Sequence, residues 1–256
     1  QKKGMFVMKI VLIGETAVGK DTIANELCKR YGYKLAKSHT TRPKRDKEGE
    51  THYFISEEDY TKYNPEERLA ETEVNGYHYF LHPSEVEEAD IVIVDPYGLD
   101  ALIDYFKHDV FLVVQIKANK RNRKKAYKKR KSNISLTERT VAERERFENF
   151  NTCCELELQR EFDATVKNRI YHKKYRDVHP LCSCINDFDE YSLNEIVSDI
   201  RIIQGLFDEF KQTVIKEGKH DTIDANIATA KIFLDPKLHQ EYFVKCLQAE
   251  IRGENE

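Results

Sequence analysis

The chain has 256 residues, 40% hydrophobic and 34% charged, with a formal net charge of −3. That length buries one sizeable core with room for an appendage. The near balance of charge argues against a dedicated polyanionic or polycationic partner, and no apolar run approaches the roughly 20 residues of a membrane span.

The opening, Gln1 to Met8, lacks the apolar core of a signal peptide, and Met5 or Met8 reads as a natural start. Of the cysteines, Cys153 and Cys154 are adjacent, Cys182 and Cys184 are one residue apart, and Cys28 and Cys246 stand alone. None has the two-residue spacer of common zinc sites, so reduced thiols and a cytoplasmic location are expected.

Met8–Ile13 is a continuous apolar run and predicts a first strand, followed by a loop and a helix over Asp21–Arg30. Alternating residues at Thr51–Ser56 and Leu69–Leu81, with Asn75-Gly76 inside the second stretch, predict a hairpin and hence a small antiparallel insertion. Ile91–Val94 and Phe111–Ile116 read as buried parallel strands. Ser135-Leu136-Thr137-Glu138 is a capping box that opens a long helix to about Arg160. Ser192-Leu193-Asn194-Glu195 repeats the signal before a helix ending near Lys211, and further helices are expected from 212 to 256. Strands alternating with helices indicate an α/β fold with a central parallel sheet.

The loop after the first strand is Gly14-Glu15-Thr16-Ala17-Val18-Gly19-Lys20, then Asp21-Thr22. Glycines at both ends let the backbone curl so that its N–H groups point at a polyphosphate. The helix N-terminus adds partial positive charge, and a lysine reaches the β and γ oxygens. Gly14, Ala17, Val18, Gly19, Lys20, Asp21 and Thr22 are therefore the candidate ATP-binding residues. Asp21 stands where a hydroxyl usually meets Mg²⁺; its carboxylate, or the Thr22 hydroxyl, is the expected metal contact. Gly19-Lys20-Asp21-Thr22 resembles the loops of some phage deoxynucleoside monophosphate kinases, which implies that the acid modifies the metal shell without abolishing nucleotide chemistry.

Ser38-His39-Thr40-Thr41-Arg42-Pro43-Lys44-Arg45, then Gly49-Glu50 and His52-Tyr53-Phe54, resembles the monophosphate-binding insertion of the guanylate kinase family. Glu71, Gly76 and Tyr79, and a strand ending in Asp95 with Gly98 behind it, extend the resemblance, which runs from about Lys9 to Asn168. It implies a P-loop NTPase fold acting as a nucleoside monophosphate kinase on ATP and GMP or dGMP, with Mg²⁺. By the same resemblance Ser38, Arg42, Arg45, Tyr53 and Tyr79 hold the acceptor phosphate, Glu71 contacts guanine, and Asp95 serves the acceptor or Mg²⁺. Independently, two arginines three apart in a loop suit one phosphate dianion. Two positions depart from the family: Tyr79-Phe80-Leu81 lacks a base-reading hydroxyl, and Ile93-Val94-Asp95 lacks the first of two acids. Both departures fall on base or metal recognition, not on the phosphate grip.

The run from Lys117 to Lys131 is densely basic and lies where guanylate kinases place a mobile, arginine-bearing lid. Arg130 and Arg144 are the nearest matches for catalytic lid arginines, with Arg139 and Arg146 as competitors. Phe162–Asn168 resembles the last core strand, whose terminal Asn168 lies against adenine, and Cys184-Ile185-Asn186-Asp187 is a competing match. The expected organisation is a kinase-like domain over 5–211, its insertion about 37–83 and its lid about 118–146, with a helical extension over 212–256. His172 and His179 with Cys182 and Cys184 suit surface or packing roles better than a metal. Rival readings are a deoxynucleoside monophosphate kinase for another base, a non-catalytic kinase-like module for phosphopeptides, and a nucleic-acid binder using the basic run. Intact Gly19-Lys20 argues against the module, and a solvated helix face accounts for the basic run as well as nucleic acid does.

Overall fold

The computed structural model describes residues 9–44, 52–106, 111–129, 135–161 and 181–216. Its larger sheet contains β1 (Lys9–Ile13), β6 (Ile91–Ile93), β7 (Phe111–Lys117) and β8 (Leu181–Ile185), all parallel and ordered β6-β1-β7-β8. The smaller contains β2 (Ser38–Thr40), β3 (His52–Phe54), β4 (Leu69–Val74) and β5 (Tyr77–Leu81), ordered β3-β2-β5-β4. Only β2 and β3 are parallel there. The helices are α1 (Lys20–Tyr31), α2 (Glu57–Tyr60), α3 (Pro83–Glu88), α4 (Pro96–Tyr105), α5 (Lys120–Lys128), α6 (Leu136–Glu161) and α7 (Glu190–Lys216). Among the described residues no helix is long and apolar enough to cross a membrane.

Side chains on β1 alternate between two cores, as strand periodicity requires. Ile10 and Leu12 face Ile23 and Leu27 of α1 and Ile196, Val197 and Ile200 of α7. Val11 and Ile13 face Val86 of α3, Leu99 and Leu102 of α4, and Phe150 of α6. The strands are apolar on both faces because helices cover both. The expected hairpin forms between β4 and β5, where Asn75 and Gly76 have φ of 58° and 75°. Two successive positive φ values are what a two-residue turn of this hand demands, and Gly76 meets the second without a Cβ.

The capping box before α6 is present: Glu138 N–H donates to Ser135 Oγ at 3.1 Å, and Ser135 N–H to Glu138 at 2.7 Å. Helix α7 differs from expectation. It opens at Glu190, not at Ser192, because Asp189 Oδ1 accepts from Ser192 N–H at 2.8 Å and takes the capping role. It also runs to Lys216, past the expected end near Lys211. The strand beside β7 is Leu181–Ile185, paired through five residues; the segment expected there, Phe162–Asn168, lies outside the described residues.

In a parallel sheet the carboxyl ends of the strands open one crevice. Here that edge receives the loop after β1, Asp95 after β6, α5 after β7 and Asn186 after β8. The smaller sheet supplies the crevice with its outer wall.

Candidate active site

Between β1 and α1 the chain coils through Gly14–Gly19. Gly19 has φ 97°, and a Cβ there would stand 2.4 Å from Asn186 Nδ2. Glycine is thus required twice over, by backbone conformation and by the approach of a side chain. Lys20 Nζ folds back to donate to the Gly14 carbonyl at 2.6 Å and the Glu15 carbonyl at 3.3 Å, which sets its ammonium at the loop's mouth. Asn186, 4% exposed, donates from Nδ2 to the Val18 carbonyl at 2.8 Å.

Two further side chains brace the loop. Arg123 of α5 is 7% exposed; its Nε donates to the Thr16 carbonyl at 3.1 Å and its guanidinium pairs with Glu15 at 2.6 Å. Glu143 of α6 accepts from Thr16 N–H at 2.8 Å and also from the Thr16 hydroxyl. Neither was singled out in the sequence, since each sits in a charged helix with no motif around it.

Facing the loop across a cleft of about 460 Å³ is a polar wall of Ser38, Arg42, His52 and Tyr79. Gly14, Ala17, Gly19, Lys20, Asp21 and Asp95 line the same cleft, while Thr22 lines a second pocket. Arg42 is 5% exposed and its guanidinium lies 5.1 Å over the Phe54 ring, a planar contact that fixes its direction. Arg45 lies outside the described residues.

Two expected contacts fall on the wrong face. Tyr53 is 39% exposed and donates to Glu85 at 3.2 Å, and burial together with Glu85 pushes its phenol above the ordinary range. Strand alternation turns it away from the cleft and turns His52 in. Glu71 is likewise outside: it accepts from Tyr60 and pairs with Arg68 at 3.2 Å. Its neighbours Ala70 and Thr72 line the cleft instead, with the register of β4 shifted between Leu69 and Thr72. The residue expected to contact guanine, Glu71, is thus engaged by Tyr60 and Arg68 and does not line the cleft.

Helix α6 forms the remaining wall. Arg139, Glu143, Arg146 and Phe147 share one helical face and line the cleft. Arg144 does not: its side chain is 62% exposed and lies 3.6 Å from Glu148. The cleft-facing cations of α6 are thus Arg139 and Arg146, and Arg130 lies outside the described residues. Arg146 joins three parts of the molecule, since it donates to Thr72 Oγ1 at 2.8 Å, pairs with Asp95 and lies 5.3 Å over the Tyr97 ring. Asp95 also caps α4, accepting from Gly98 N–H at 2.8 Å.

The second pocket, about 400 Å³, lies beyond Gly19 and is lined by Thr22, Asn122, Lys125, Lys129 and Phe188 among others. Asn186 follows β8, the strand next to β7, and sits against Gly19; Asn168 lies outside the described residues.

As to metal, no group of three or more His, Cys, Asp or Glu side chains is placed to hold an ion among the described residues. Mg²⁺ bound through phosphates needs only one or two carboxylates. Asp21, beside Lys20 on the cleft, fits that need. Asp95 fits it less well, because both of its oxygens are already engaged.

The family model for guanylate kinase matches residues 7–183. A guanylate kinase of Schizosaccharomyces pombe is 28% identical over 187 residues, which span 68% of this chain and 89% of that protein. The crystal structure of guanylate kinase from Anaplasma phagocytophilum aligns with a TM-score of 0.49 at 17% identity, over 78% of this chain and 89% of that one.

Proposed function

The chain belongs to the guanylate kinase family, and from that premise we propose that it transfers the γ-phosphoryl group of ATP to GMP or dGMP across the cleft between Lys20 and Arg42. One observation carries this reading. A phosphate-binding loop and a second phosphate wall of Ser38, Arg42 and Tyr79 face each other in one cleft, as transfer between two nucleotides requires.

In this reading Lys20 and the loop N–H groups hold the β and γ phosphates, and the adenine side lies toward Asn186 and the second pocket. Arg42 and Tyr79 align the acceptor oxygen, with Arg45 as a further cation. Arg139 and Arg146 approach the moving phosphoryl group from α6 and stabilise its charge. Bound Mg²⁺ would be held by Asp21 and would neutralise charge on the phosphate oxygens. With Glu71 turned away, Thr72 is the polar side chain beside Ala70 on that wall of the cleft.

The test is ADP release from ATP with a panel of ribo- and deoxyribonucleoside monophosphates. GMP and dGMP are expected to be used best. A preference for another base would move the reading to a different monophosphate kinase, and turnover of none would overturn it.

A further inference from the structure

The turn from β8 into α7 holds an exposed aromatic ring in a backbone conformation that suits glycine. Phe188 has φ 62°, an outlier for so bulky a side chain. The turn is tied down from two sides. Phe188 N–H donates to Asn186 Oδ1 at 2.9 Å, and Asn122 Nδ2 donates to the Asp187 carbonyl at 3.1 Å. The ring reaches toward Gly19, its Cε1 3.6 Å from where a Cβ of that glycine would stand, yet Phe188 is 41% exposed. Strained residues of this kind persist only where their surroundings hold them, and they cluster at ligand sites. Phe188 lines the second pocket, and Ala17 and Gly19 line both pockets, so the two open on the same phosphate loop.

We infer that Phe188 is the platform on which the base of the phosphoryl donor stacks, and that this site grips a purine by its face without reading its edge. GTP is then a donor as well as ATP. The inference rests on the proposed function of the adjoining cleft. The acceptor wall occupies the cleft side of the loop, which leaves the second pocket, about 400 Å³, for the donor's nucleoside. Lys125 and Lys129, one helical turn apart, line it too and bring positive charge to an anionic ligand. Stacking on an aromatic ring tolerates any base, because every base has a π face. Edge recognition needs polar groups with bonds to give, and those of this turn are used within the protein. Asn186 is 4% exposed, donates to the Val18 carbonyl and accepts from Phe188 N–H. The Asp187 carbonyl accepts from Asn122, and Asp187 itself is exposed, where water competes for its carboxylate. Strong discrimination between bases requires buried polar groups that the wrong base leaves unpaired.

The chain contains no tryptophan, so Phe188→Trp in the full-length protein sets a single indole on the platform. With Mg²⁺ present, ATP and GTP are each expected to quench its fluorescence, with dissociation constants within about tenfold of each other. Inorganic tripolyphosphate, which has no base, is expected to change it little. A second arm uses Phe188→Gly, which removes the ring and relieves the backbone, so its Tm is expected to match or exceed that of the wild type. By calorimetric titration it should bind ATP roughly ten- to a hundredfold more weakly than the wild type, the scale of one base stack, and tripolyphosphate as before. A ring that only props the loop would weaken both ligands alike. Equal losses for ATP and tripolyphosphate, an unchanged ATP affinity in Phe188→Gly, an indole indifferent to both nucleotides, or a preference for ATP over GTP beyond about tenfold would each overturn the inference. Absence of transfer to any monophosphate by the wild type would instead fail the proposed function, and these titrations, which need no turnover, would still decide the role of Phe188.

Discussion

Arg42 carries a full charge yet is 5% exposed, lying on Phe54 instead of in solvent. If Arg42 holds the acceptor phosphate as proposed, burial of that kind makes the bond strong and its loss costly. Arg42→Ala is expected to lower kcat/KM for the monophosphate by about 2–4 kcal/mol, the scale of a desolvated charged pair. The ATP KM should barely move, since the loop that holds ATP is across the cleft; an equal loss for both substrates in steady-state kinetics would point to a misfolded insertion instead. Asp21 calls for a different measurement. It occupies the first turn of α1, where the helix dipole favours an acid whatever its function. If it is a metal contact, Asp21→Ser retains activity with a shifted Mg²⁺ requirement, and Asp21→Ala does worse. Three superimposable Mg²⁺ titrations would reduce Asp21 to a helix-start residue. The sequence revealed residue types at this scale better than their directions. Arg42 was legible from the spacing of its arginine pair and Tyr79 from the family resemblance. Tyr53, Glu71 and Arg144 came from their alignment with the family, but a one-residue step on a strand reverses the face and a one-residue step on a helix rotates it by about 100°. His52 and Thr72, one residue away on their strands, and Arg146, two residues further along α6, line the cleft instead.

Helix α5 shows how an element reads differently in sequence and in space. Its basic residues suggested a lid or a polyanion surface, yet the member that is buried, Arg123, points inward under the phosphate loop. Arg123→Leu keeps much of the side-chain bulk but strips the Thr16 carbonyl of its donor and Glu15 of its partner. A buried carbonyl without a donor costs about 1–3 kcal/mol, and the half-exposed Glu15 adds little because solvent screens it. The expected result is a lower Tm and an ATP KM raised more than the monophosphate KM; equal effects on both would show that Arg123 supports the fold in general and not the loop. The insertion sheet makes a pH prediction. His39 stacks on Phe80 at 4.9 Å, is 9% exposed, and its Nδ1 has no hydrogen-bond partner. Burial lowers its pKa below the ordinary value. A lowered histidine pKa means that folding favours the neutral ring, so this contribution to stability is present above about pH 6.5 and is lost as pH falls toward the folded-state pKa. His39→Phe keeps the stack and removes the titrating group. Thermal unfolding from pH 7.5 to 5 should therefore fall less steeply for His39→Phe than for the wild type, and parallel slopes would exclude His39 as a source of acid lability. Long elements such as α6 were legible from periodicity and caps. The three-residue strands β2 and β3 are too short for a period, and β8 follows a long segment after α6 that carries a rival strand pattern.

The whole molecule depends on α7 in a way that no motif announces. Ile196, Val197 and Ile200 are at most 3% exposed and complete the core formed by Ile10, Leu12, Ile23 and Leu27, directly behind the strand and helix that present the phosphate loop. Each such side chain contributes about 1.5–3 kcal/mol when fully buried. Three together approach the 5–15 kcal/mol that separates a folded domain from its unfolded chain. Gln204 extends the attachment by accepting from the Tyr33 hydroxyl, and Arg201 donates to that hydroxyl at 3.0 Å. The kinase unit therefore needs α7, although the family match ends at residue 183. A chain ending at Asp189 is expected to lose cooperative thermal unfolding and phosphoryl transfer together. One ending at Lys216 keeps all of these contacts and is expected to retain both, with a Tm within about 4 °C of the full chain, the shift that roughly 1 kcal/mol produces in a domain of this size. Melting curves and ADP release on the two truncations decide it. A folded, active chain ending at Asp189 would show that α7 only covers a core already complete; loss of folding on ending at Lys216 would place part of the kinase unit beyond that residue.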